Sequence, residues 1–256
     1  MKISLIQTSL KWEDHEANRQ HFTQMINGMQ ETTDLIMLPE MFGTGFTMNP
    51  EPVAETTEGQ SVRWMKEMAS QKQCAVTGSL VIKENDNYYN RLFFVYPSGE
   101  IKTYSKRHLF TLAGEHKQYT AGREKLIVEY KGWKICPLVC YDLRFPVFAR
   151  NVEHYDLLLY VANWPSTRVL AWDVLLQARA IENMCYVAGV NRIGEDNNGH
   201  DYPGRSQVYD CLGKPIVEEP SGREGVFTVT LNKEYVQETR NKLGFLNDRD
   251  SFTLQD

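Results

Sequence analysis

The stretch DLIMLPE, residues 34–40, carries the pattern that decides the fold. Its short continuous apolar run, which ends at Pro39 and Glu40, is typical of a strand that is buried on both faces of a sheet. The stretch DLLLYVANWP, residues 156–165, repeats this pattern in the second half of the chain and starts again from an aspartate. The two stretches predict a pair of equivalent strands, one in each half.

Two further pairs of segments repeat in the same chain order. CAVTGSLVI at 74–82 is similar to CYVAGVNRI at 185–193, and FFVYPSGEI at 93–101 is similar to SQVYDCLGKPI at 206–216. A single match of this kind arises easily by chance, but three matches in one order with similar offsets do not. We therefore predict a duplicated α/β unit.

The remaining segments alternate between strand and helix patterns. Residues 2–8 alternate in polarity as a strand does, and the apolar residues of 15–29 fall on one helical face. A second helix is predicted near 61–72, and the pattern over 125–140 predicts a hairpin with Gly132 in its turn. We expect an α/β fold in which mixed sheets lie inside and helices lie outside as packed layers.

The composition limits the classes of protein to which the chain can belong. The 256 residues are 42% hydrophobic and 24% charged, and no linker rich in Gly, Ser or Pro divides them, so we expect a single domain over residues 1–256. The net charge of −5 argues against nucleic acid and anionic membranes as partners. We expect neither a membrane-spanning helix nor a signal peptide. The five scattered cysteines lack a CxxC pair, which favours a reducing cytoplasm over a disulfide framework or a zinc site.

Three chemically reactive side chains follow predicted strands, namely Glu40, Lys106 and Cys140. The loops at strand ends carry much of the chemistry of α/β proteins. Each residue also has an ordinary structural interpretation, as a loop-capping carboxylate, a solvated lysine and a buried core thiol. The apolar neighbours of Glu40 would partly desolvate its carboxylate, which favours a role as a general acid or base.

The segment after Cys140 bears on the reactivity of this thiol. DLRFPVFARNV predicts a helix that begins near Phe145, with Pro146 at its first position. A thiol just before a helix N-terminus, close to Arg144 and a lysine, should have its thiolate favoured. The residues alone leave a nucleophile and a core thiol both open. We expect His108 to support its loop by hydrogen bonding.

At these residues the sequence resembles the nitrilase superfamily of carbon–nitrogen hydrolases. The segments DLIMLPEMF, YSKRHLF and PLVCYDLRFP hold Glu40, Lys106 and Cys140 in the chain order of that family's Glu–Lys–Cys triad. The similarity continues through DLLLYVANWP, QARAIENMCYVAGVNRIG and GRSQVYDCLGKPI, so it covers nearly the whole chain. It implies a four-layer α-β-β-α sandwich with an internal pseudo-two-fold repeat. It also implies a second glutamate near the site, and Glu115 lies at the matching place, although it could be a plain loop acid.

Within this family, CYDLRFP is most similar to the omega-amidases, whereas nitrilases proper usually have Cys-Trp-Glu at the nucleophile. Omega-amidases hydrolyse the terminal amide of short dicarboxylic monoamides such as 2-oxoglutaramate and 2-oxosuccinamate. The resemblance therefore implies the acid and ammonia as products, with no metal or organic cofactor. It also implies a homodimer, with a C-terminal tail over about residues 240–256 that can reach across to a partner.

The resemblance implies a role for each triad residue. Glu40 would accept the proton of Cys140, and the thiolate would attack the amide carbonyl. The Lys106 ammonium and the backbone N–H of Tyr141 would hold the oxyanion, and Glu115 would help to position the hydrolytic water.

A substrate with a free carboxylate also needs a cation, preferably a planar guanidinium. Arg144 is the first candidate and Arg168 the second. Arg144 could instead form an ion pair with Asp142 or Glu182, and Arg168 could be a plain surface residue. Two residues that end a predicted strand, Asn163 and Trp164, are expected to line the pocket, whereas Trp12, Trp64, Trp133 and Trp172 are interpreted as packing residues.

Other functions stay open at this point. The chain could hydrolyse a different amide, such as an N-carbamoyl amino acid or an aliphatic amide. It could be a catalytically silent interaction protein, although such a protein has no need for the intact triad. A redox-sensing thiol protein lacks a convincing resolving cysteine, because Cys136 lies on the same predicted strand as Cys140.

Overall fold

Two large β-sheets, a two-stranded ribbon and six α-helices lie in the part of the protein that the computed structural model describes, residues 1–217 and 222–254. The strands are β1 Lys2–Gln7, β2 Leu35–Met37, β3 Ala75–Glu84, β4 Asn87–Val95, β5 Ile101–Ser105, β6 Val128–Tyr130, β7 Trp133–Val139, β8 Leu157–Ala162, β9 Tyr186–Asn191, β10 Ile193–Glu195, β11 Asp201–Pro203, β12 Gln207–Tyr209 and β13 Gly225–Thr230. The helices are α1 His15–Asn27, α2 Gln60–Lys72, α3 Glu115–Gln118, α4 Pro146–Ala149, α5 Val169–Asn183 and α6 Lys233–Leu243.

Five strands follow the same order in both sheets, which confirms the duplication, and the first sheet has β5 as an additional edge strand. The first sheet runs β13-β1-β2-β3-β4-β5 and the second runs β12-β9-β8-β7-β6, while β10 and β11 form a separate ribbon. In the first sheet β1, β2 and β3 are parallel and β4 pairs antiparallel with β3. In the second sheet β7, β8 and β9 are parallel and β12 pairs antiparallel with β9. The predicted equivalences of β2 with β8, β3 with β9 and β4 with β12 therefore hold.

Alternation along the strands of the first sheet separates two layers of apolar packing. Ile3 and Leu5 of β1 join the core that also contains the second sheet, whereas Ile6 lies in the cluster formed with α1 and α2. Successive side chains of a strand point to opposite faces, so the first sheet has the second sheet on one face and these helices on the other. A fully buried side chain such as Phe22 contributes about 1.5–3 kcal/mol relative to an exposed one.

Helix α5 covers the outer face of the second sheet and completes the predicted α-β-β-α sandwich. Its fully buried Trp172 and Leu176 pack against β9 at Gly189. A Cβ at Gly189 would lie 2.7 Å from side-chain atoms of both residues, so this close approach of helix and strand requires glycine. Trp172, Trp64 and Trp133 are buried packing residues, as predicted. No helix in the two described ranges is long and apolar enough to cross a membrane.

The ends of the strands bring the reactive residues to one edge of the sandwich. Glu40 follows β2, Lys106 follows β5, Cys140 follows β7, and Asn163 follows β8. Because β2, β7 and β8 belong to parallel sets, their carboxyl ends open into loops on the same edge of each sheet. The duplicated fold thus places a site where the two halves meet.

Candidate active site

A buried cluster of charge forms where Glu40, Lys106 and Glu115 meet. All three side chains have no solvent exposure. The Lys106 Nζ lies 2.9 Å from Glu40 Oε1, 2.9 Å from Glu115 Oε2 and 3.1 Å from Glu115 Oε1. A further donor to Glu115 Oε2 is the backbone N–H of Phe110 at 2.6 Å. The cluster combines two carboxylates with one ammonium.

Asn90 is a member of this cluster that the sequence analysis missed. Its side-chain Nδ2 donates to Glu40 Oε1 at 2.8 Å and to Glu115 Oε1 at 3.2 Å. The residue is fully buried on β4, and its backbone carbonyl accepts the N–H of Lys106 at 2.9 Å. The available signal was an asparagine two positions before the apolar run LFFV at 92–95, but a strand pattern does not say which distant side chain an amide contacts.

Glu40 presents its second oxygen to the other half of the chain. The backbone N–H of Asn163 donates to Glu40 Oε2 at 2.9 Å, and the Asn163 side-chain amide donates to the Glu40 carbonyl at 2.7 Å. Since Lys106 and Asn90 both donate to Oε1, the less occupied oxygen is Oε2. The structure thus leaves Oε2 as the Glu40 atom best able to accept another proton.

Cys140 lies at a sharp bend after β7. Its φ of 43° is in the left-handed region, which residues other than glycine adopt rarely and often at functional sites. A 3₁₀ turn over Cys140–Arg144 leads into α4, whose first residue is Pro146 as predicted. The thiol Sγ lies 3.9 Å from the Asn163 carbonyl oxygen.

Asp142 links the Cys140 turn to the segment that carries Lys106. Its buried carboxylate accepts from the Val139 N–H at 3.0 Å and from the Tyr104 hydroxyl at 2.8 Å. It also accepts from the backbone N–H of His108 at 3.0 Å and contacts His108 Nδ1 at 2.8 Å. Because Tyr104 and His108 flank Lys106 in the chain, these bonds fix the Cys140 turn against the lysine. The predicted supporting role of His108 is confirmed.

The electrostatic state of Cys140 differs from the expectation of a favoured thiolate. Burial raises the pKa of the thiol well above its ordinary value, and the Glu40 carboxylate raises it further, while Lys106 acts in the opposite direction. The prediction from the helix N-terminus and Arg144 was wrong, because it could not account for burial beside a carboxylate. Burial and the Glu40 carboxylate both favour the protonated thiol, so ionisation of Cys140 calls for a base.

Lys106 and Glu115 show the opposing effects of burial and charge. Burial alone would lower the pKa of Lys106, but Glu115 and Glu40 outweigh it, so the pKa lies above its ordinary value and the side chain stays an ammonium. Burial raises the pKa of Glu115, Lys106 lowers it, and Glu40 raises it again, with a net increase. The lysine thus remains a fixed positive charge between two acids.

A cavity of about 520 Å³ opens above Cys140. It is lined by every residue predicted to contact substrate, namely Tyr141, Arg144, Asn163, Trp164 and Arg168, and also by Trp12, Glu13, Phe46, Phe110, Asp196, His200 and Tyr202. Of the triad, Cys140 lines the cavity, while Glu40 and Lys106 lie buried behind it, with Lys106 Nζ 5.1 Å from the centre of the Phe46 ring. Trp12 was wrongly interpreted as a packing residue, since loop positions carry no periodic signal that separates wall from core.

Two arginines form part of the cavity wall and stack on aromatic rings. The Arg144 guanidinium lies 5.0 Å from the centre of the Trp164 ring, and that of Arg168 lies 5.1 Å from the centre of the Phe110 ring. Arg144 does not form the ion pair considered from sequence, because Asp142 binds His108 and Glu182 binds Arg179. Arg168 is half-buried and lines the cavity, so it is not a plain surface residue.

The acids of the cavity wall have neutral donors of their own. Glu13 accepts from the Thr47 hydroxyl at 2.5 Å, and Asp196 accepts from the Tyr202 hydroxyl at 2.8 Å. Within residues 1–217 and 222–254, neither Arg144 nor Arg168 forms an ion pair with a carboxylate. Nor does this part of the chain hold a group of three or more His, Cys, Asp or Glu side chains arranged to bind a metal ion.

Comparisons with known proteins agree with this geometry. The sequence profile described as carbon–nitrogen hydrolase matches residues 2–241. The omega-amidase YafV of Yersinia enterocolitica is 44% identical over 254 residues, which cover 99% of this chain and 98% of that protein. The 2-oxoglutaramate amidase of Bacillus subtilis strain 168 is 31% identical over 251 residues, which cover 96% of each chain.

A solved structure matches the whole fold. A carbon–nitrogen hydrolase superfamily protein from Xanthomonas campestris, with an arsenic adduct in its active site, superposes with a TM-score of 0.97 at 44% identity. The match covers 100% of this chain and 99% of that one. The four-layer sandwich described above is therefore the nitrilase type of fold.

Proposed function

The chain belongs to the carbon–nitrogen hydrolase family, and from this premise we propose that it is an omega-amidase. Its substrate would be the terminal amide of 2-oxoglutaramate or of the shorter 2-oxosuccinamate, which it would hydrolyse to the dicarboxylic acid and ammonia. The observation that carries the proposal is a single cavity in which a cysteine beside a buried Glu–Lys–Glu cluster faces two arginines without acid partners among the described residues. The names of the relatives support the same substrate class.

The first half of the proposed reaction forms a thioester. Glu40 Oε2 accepts the proton of Cys140 while Sγ bonds to the amide carbon, so thiolate formation and attack are coupled. The Lys106 ammonium and the Tyr141 backbone N–H stabilise the negative charge on the former carbonyl oxygen. The tetrahedral intermediate collapses as the carbon–nitrogen bond breaks, and Glu40 returns the proton to the departing ammonia.

The second half hydrolyses this thioester. Glu40 removes a proton from water and the hydroxide oxygen bonds to the acyl carbon. The carbon–sulfur bond then breaks to release the acid, and Glu40 returns its proton to the departing sulfur, which restores the Cys140 thiol. Glu115 holds Lys106 in place through two contacts and helps to position this water. These steps are acyl transfer to a thiol and then to water, so they need no metal or organic cofactor.

The arginines supply the proposed recognition of the substrate carboxylate. Arg144 and Arg168 both line the cavity, and the planar guanidinium fork of an arginine binds a carboxylate with two parallel hydrogen bonds. Stacking on Trp164 and Phe110 restricts both side chains before substrate arrives, which lowers the entropic cost of binding. Asn163 donates its backbone N–H to Glu40 and lines the same cavity.

We propose further that the single domain over residues 1–256 works as a cytoplasmic homodimer. Leu170, Val174 and Ile181 are exposed on one face of α5 at fractions of 74%, 53% and 52%. A row of exposed apolar side chains is typical of a surface that packs against another chain. The tail from about residue 240 contributes exposed Phe245, Phe252 and Leu254, while its last two residues, 255–256, lie outside the described part.

The test of this function is ammonia release from 2-oxoglutaramate by the purified protein. Glutamine serves as a comparison substrate, because it has the same terminal amide but an amino group in place of the oxo group. We expect turnover of the oxo-amide, a smaller rate with glutamine, and loss of essentially all activity in Cys140→Ala. Absence of ammonia from the oxo-amide would contradict the substrate and would direct the search to carbamoyl and aliphatic amides. Activity that persists in Cys140→Ala would contradict the mechanism.

A further inference from the structure

Asn90 occupies an unusual position between the two carboxylates of the site. Its one amide NH₂ group donates to Glu40 and to Glu115, the same two acids that share the Lys106 ammonium. Glu40 and Glu115 are therefore bridged twice, once by a cation and once by a neutral amide. The Asn90 side chain must point Nδ2 at both acids. In the flipped orientation the amide oxygen would face two carboxylates, which offer it no proton.

We infer that Asn90 is a positioning residue that tunes the proton affinity of the Glu40–Glu115 pair, an inference that rests on the proposed amidase function. Two buried carboxylates so close together repel, and one ammonium does not cancel both charges. The two N–H donors of Asn90 stabilise the ionised acids without adding a second positive charge. A second cation would instead hold Glu40 as a carboxylate too firmly for it to take the proton of Cys140.

The effect of Asn90 on the two acids should be measurable in the acid limb of the pH profile of kcat/KM, because the groups around the acids do not titrate there. Those that face the pair from neighbouring elements are Lys106, Cys140, Tyr119 and Tyr202. The pKa of Lys106 and of both tyrosines lies above its ordinary value, and so does that of the Cys140 thiol. These groups therefore keep their protons throughout the acid range and do not contribute to the acid limb.

The backbone around Asn90 allows the side chain to be changed alone. The residue pairs with Val81 across β3 and β4, and its carbonyl accepts the Lys106 N–H, so both contacts belong to the main chain. Asn90→Leu keeps the size of the side chain and removes both donors. Asn90→Asp keeps its shape, but the new acid can donate through one O–H at most and adds a third acid to the cluster.

The experiment compares pH profiles of kcat/KM, whose acid limb reports the essential base of the free enzyme. Removing donors from a carboxylate disfavours the ionised form, so the pKa of the pair rises and the acid limb moves to higher pH. We expect a shift of about one pH unit in Asn90→Leu, equivalent to about a tenfold loss of activity well below the limb midpoint. The acid limb of Asn90→Asp should move in the same direction. This variant provides the test if Asn90→Leu does not fold.

The matched control is Asn183→Leu, which also removes a fully buried amide. Asn183 accepts from the Asn151 N–H at 2.8 Å at the end of α5 and contacts neither acid of the site. We expect this variant to lose thermal stability but to keep the acid limb of the wild type. An acid limb that stays in place in both Asn90 variants, whatever the fall in kcat or Tm, would overturn the inference and reduce Asn90 to a packing residue.

A second readout separates this inference from the choice of substrate. The rate of Cys140 alkylation by iodoacetamide, followed on the Cys140 peptide by mass spectrometry, depends on the same base but requires no turnover. We expect its acid limb to shift with that of kcat/KM in Asn90→Leu. If the wild type hydrolyses no amide, the proposed function fails, yet the alkylation profile still supports or overturns the role of Asn90.

Discussion

Two kinds of cation lie around the same cavity, and they differ in how their charge is balanced. Lys106 is fully buried and contacts both Glu40 and Glu115 at 2.9 Å. Arg144 and Arg168 are half-buried, stack on aromatic rings, and have no carboxylate partner in the ranges the structure describes. A cation that the protein itself neutralises can act on charge that develops during the reaction, whereas an unbalanced cation attracts charge that the substrate brings.

The largest loss of activity should follow from removing Lys106, the cation whose charge Glu40 and Glu115 neutralise. Lys106→Gln leaves two buried carboxylates facing each other and removes a donor to the oxyanion, so we expect kcat with 2-oxoglutaramate to fall by about 10³-fold or more. Lys102→Gln is the matched control, because Lys102 lies on β5, the strand that precedes Lys106, but pairs with Glu100 at the exposed surface. Steady-state kinetics at neutral pH measure both variants, and an unchanged kcat in Lys106→Gln would contradict the oxyanion role.

Removing Arg144 or Arg168, the cations without a carboxylate partner in the described ranges, should have a smaller effect, mainly on KM. We expect Arg144→Gln to raise KM for 2-oxoglutaramate by about 10–100-fold with a lesser change in kcat, because a charge-assisted hydrogen bond contributes about 1.5–3 kcal/mol. Arg168→Gln should act in the same direction. Neither change should raise KM for butyramide, an amide of similar length without a carboxylate. An equal rise in KM for 2-oxoglutaramate and for butyramide would mean that the arginines shape the cavity and do not bind the substrate carboxylate.

The difference between the two kinds of cation also marks the limit of sequence reasoning. Short apolar runs predicted β2, β7 and β8 and therefore the strand ends that carry Glu40, Cys140 and Asn163. Their duplication predicted the common strand order of both sheets. The position where a strand ends depends on neighbouring residues only, so the sequence pattern can predict it.

What the pattern could not provide is the network of contacts between distant segments. Asn90 is 50 positions from Glu40, and no periodicity links them. The state of the Cys140 thiol depends on burial beside Glu40, so arguments from the following helix alone reached the wrong sign. Ion pairs considered for Arg144 were plausible by spacing, but Asp142 and Glu182 had other partners in space.

The smallest effect on chemistry should come from the outer face of α5, which lies apart from both kinds of cation. Val174→Glu places a charge in the row of Leu170, Val174 and Ile181, and a buried unpaired carboxylate would destabilise packing against a second copy. We expect sedimentation to change from dimer to monomer while kcat stays within about threefold, since Val174 does not line the cavity.

Gln71→Glu adds the same charge to an exposed position of α2 on the opposite side of the sandwich, and it should leave the dimer intact. A wild-type protein that sediments as a monomer would contradict the proposed dimer. If Val174→Glu instead yields a monomer without activity, the partner chain must order the cavity wall, since α5 begins directly after Arg168. The unbalanced arginines would then depend on the dimer for their placement, while the buried Lys106 cluster, which is complete within one chain, would not.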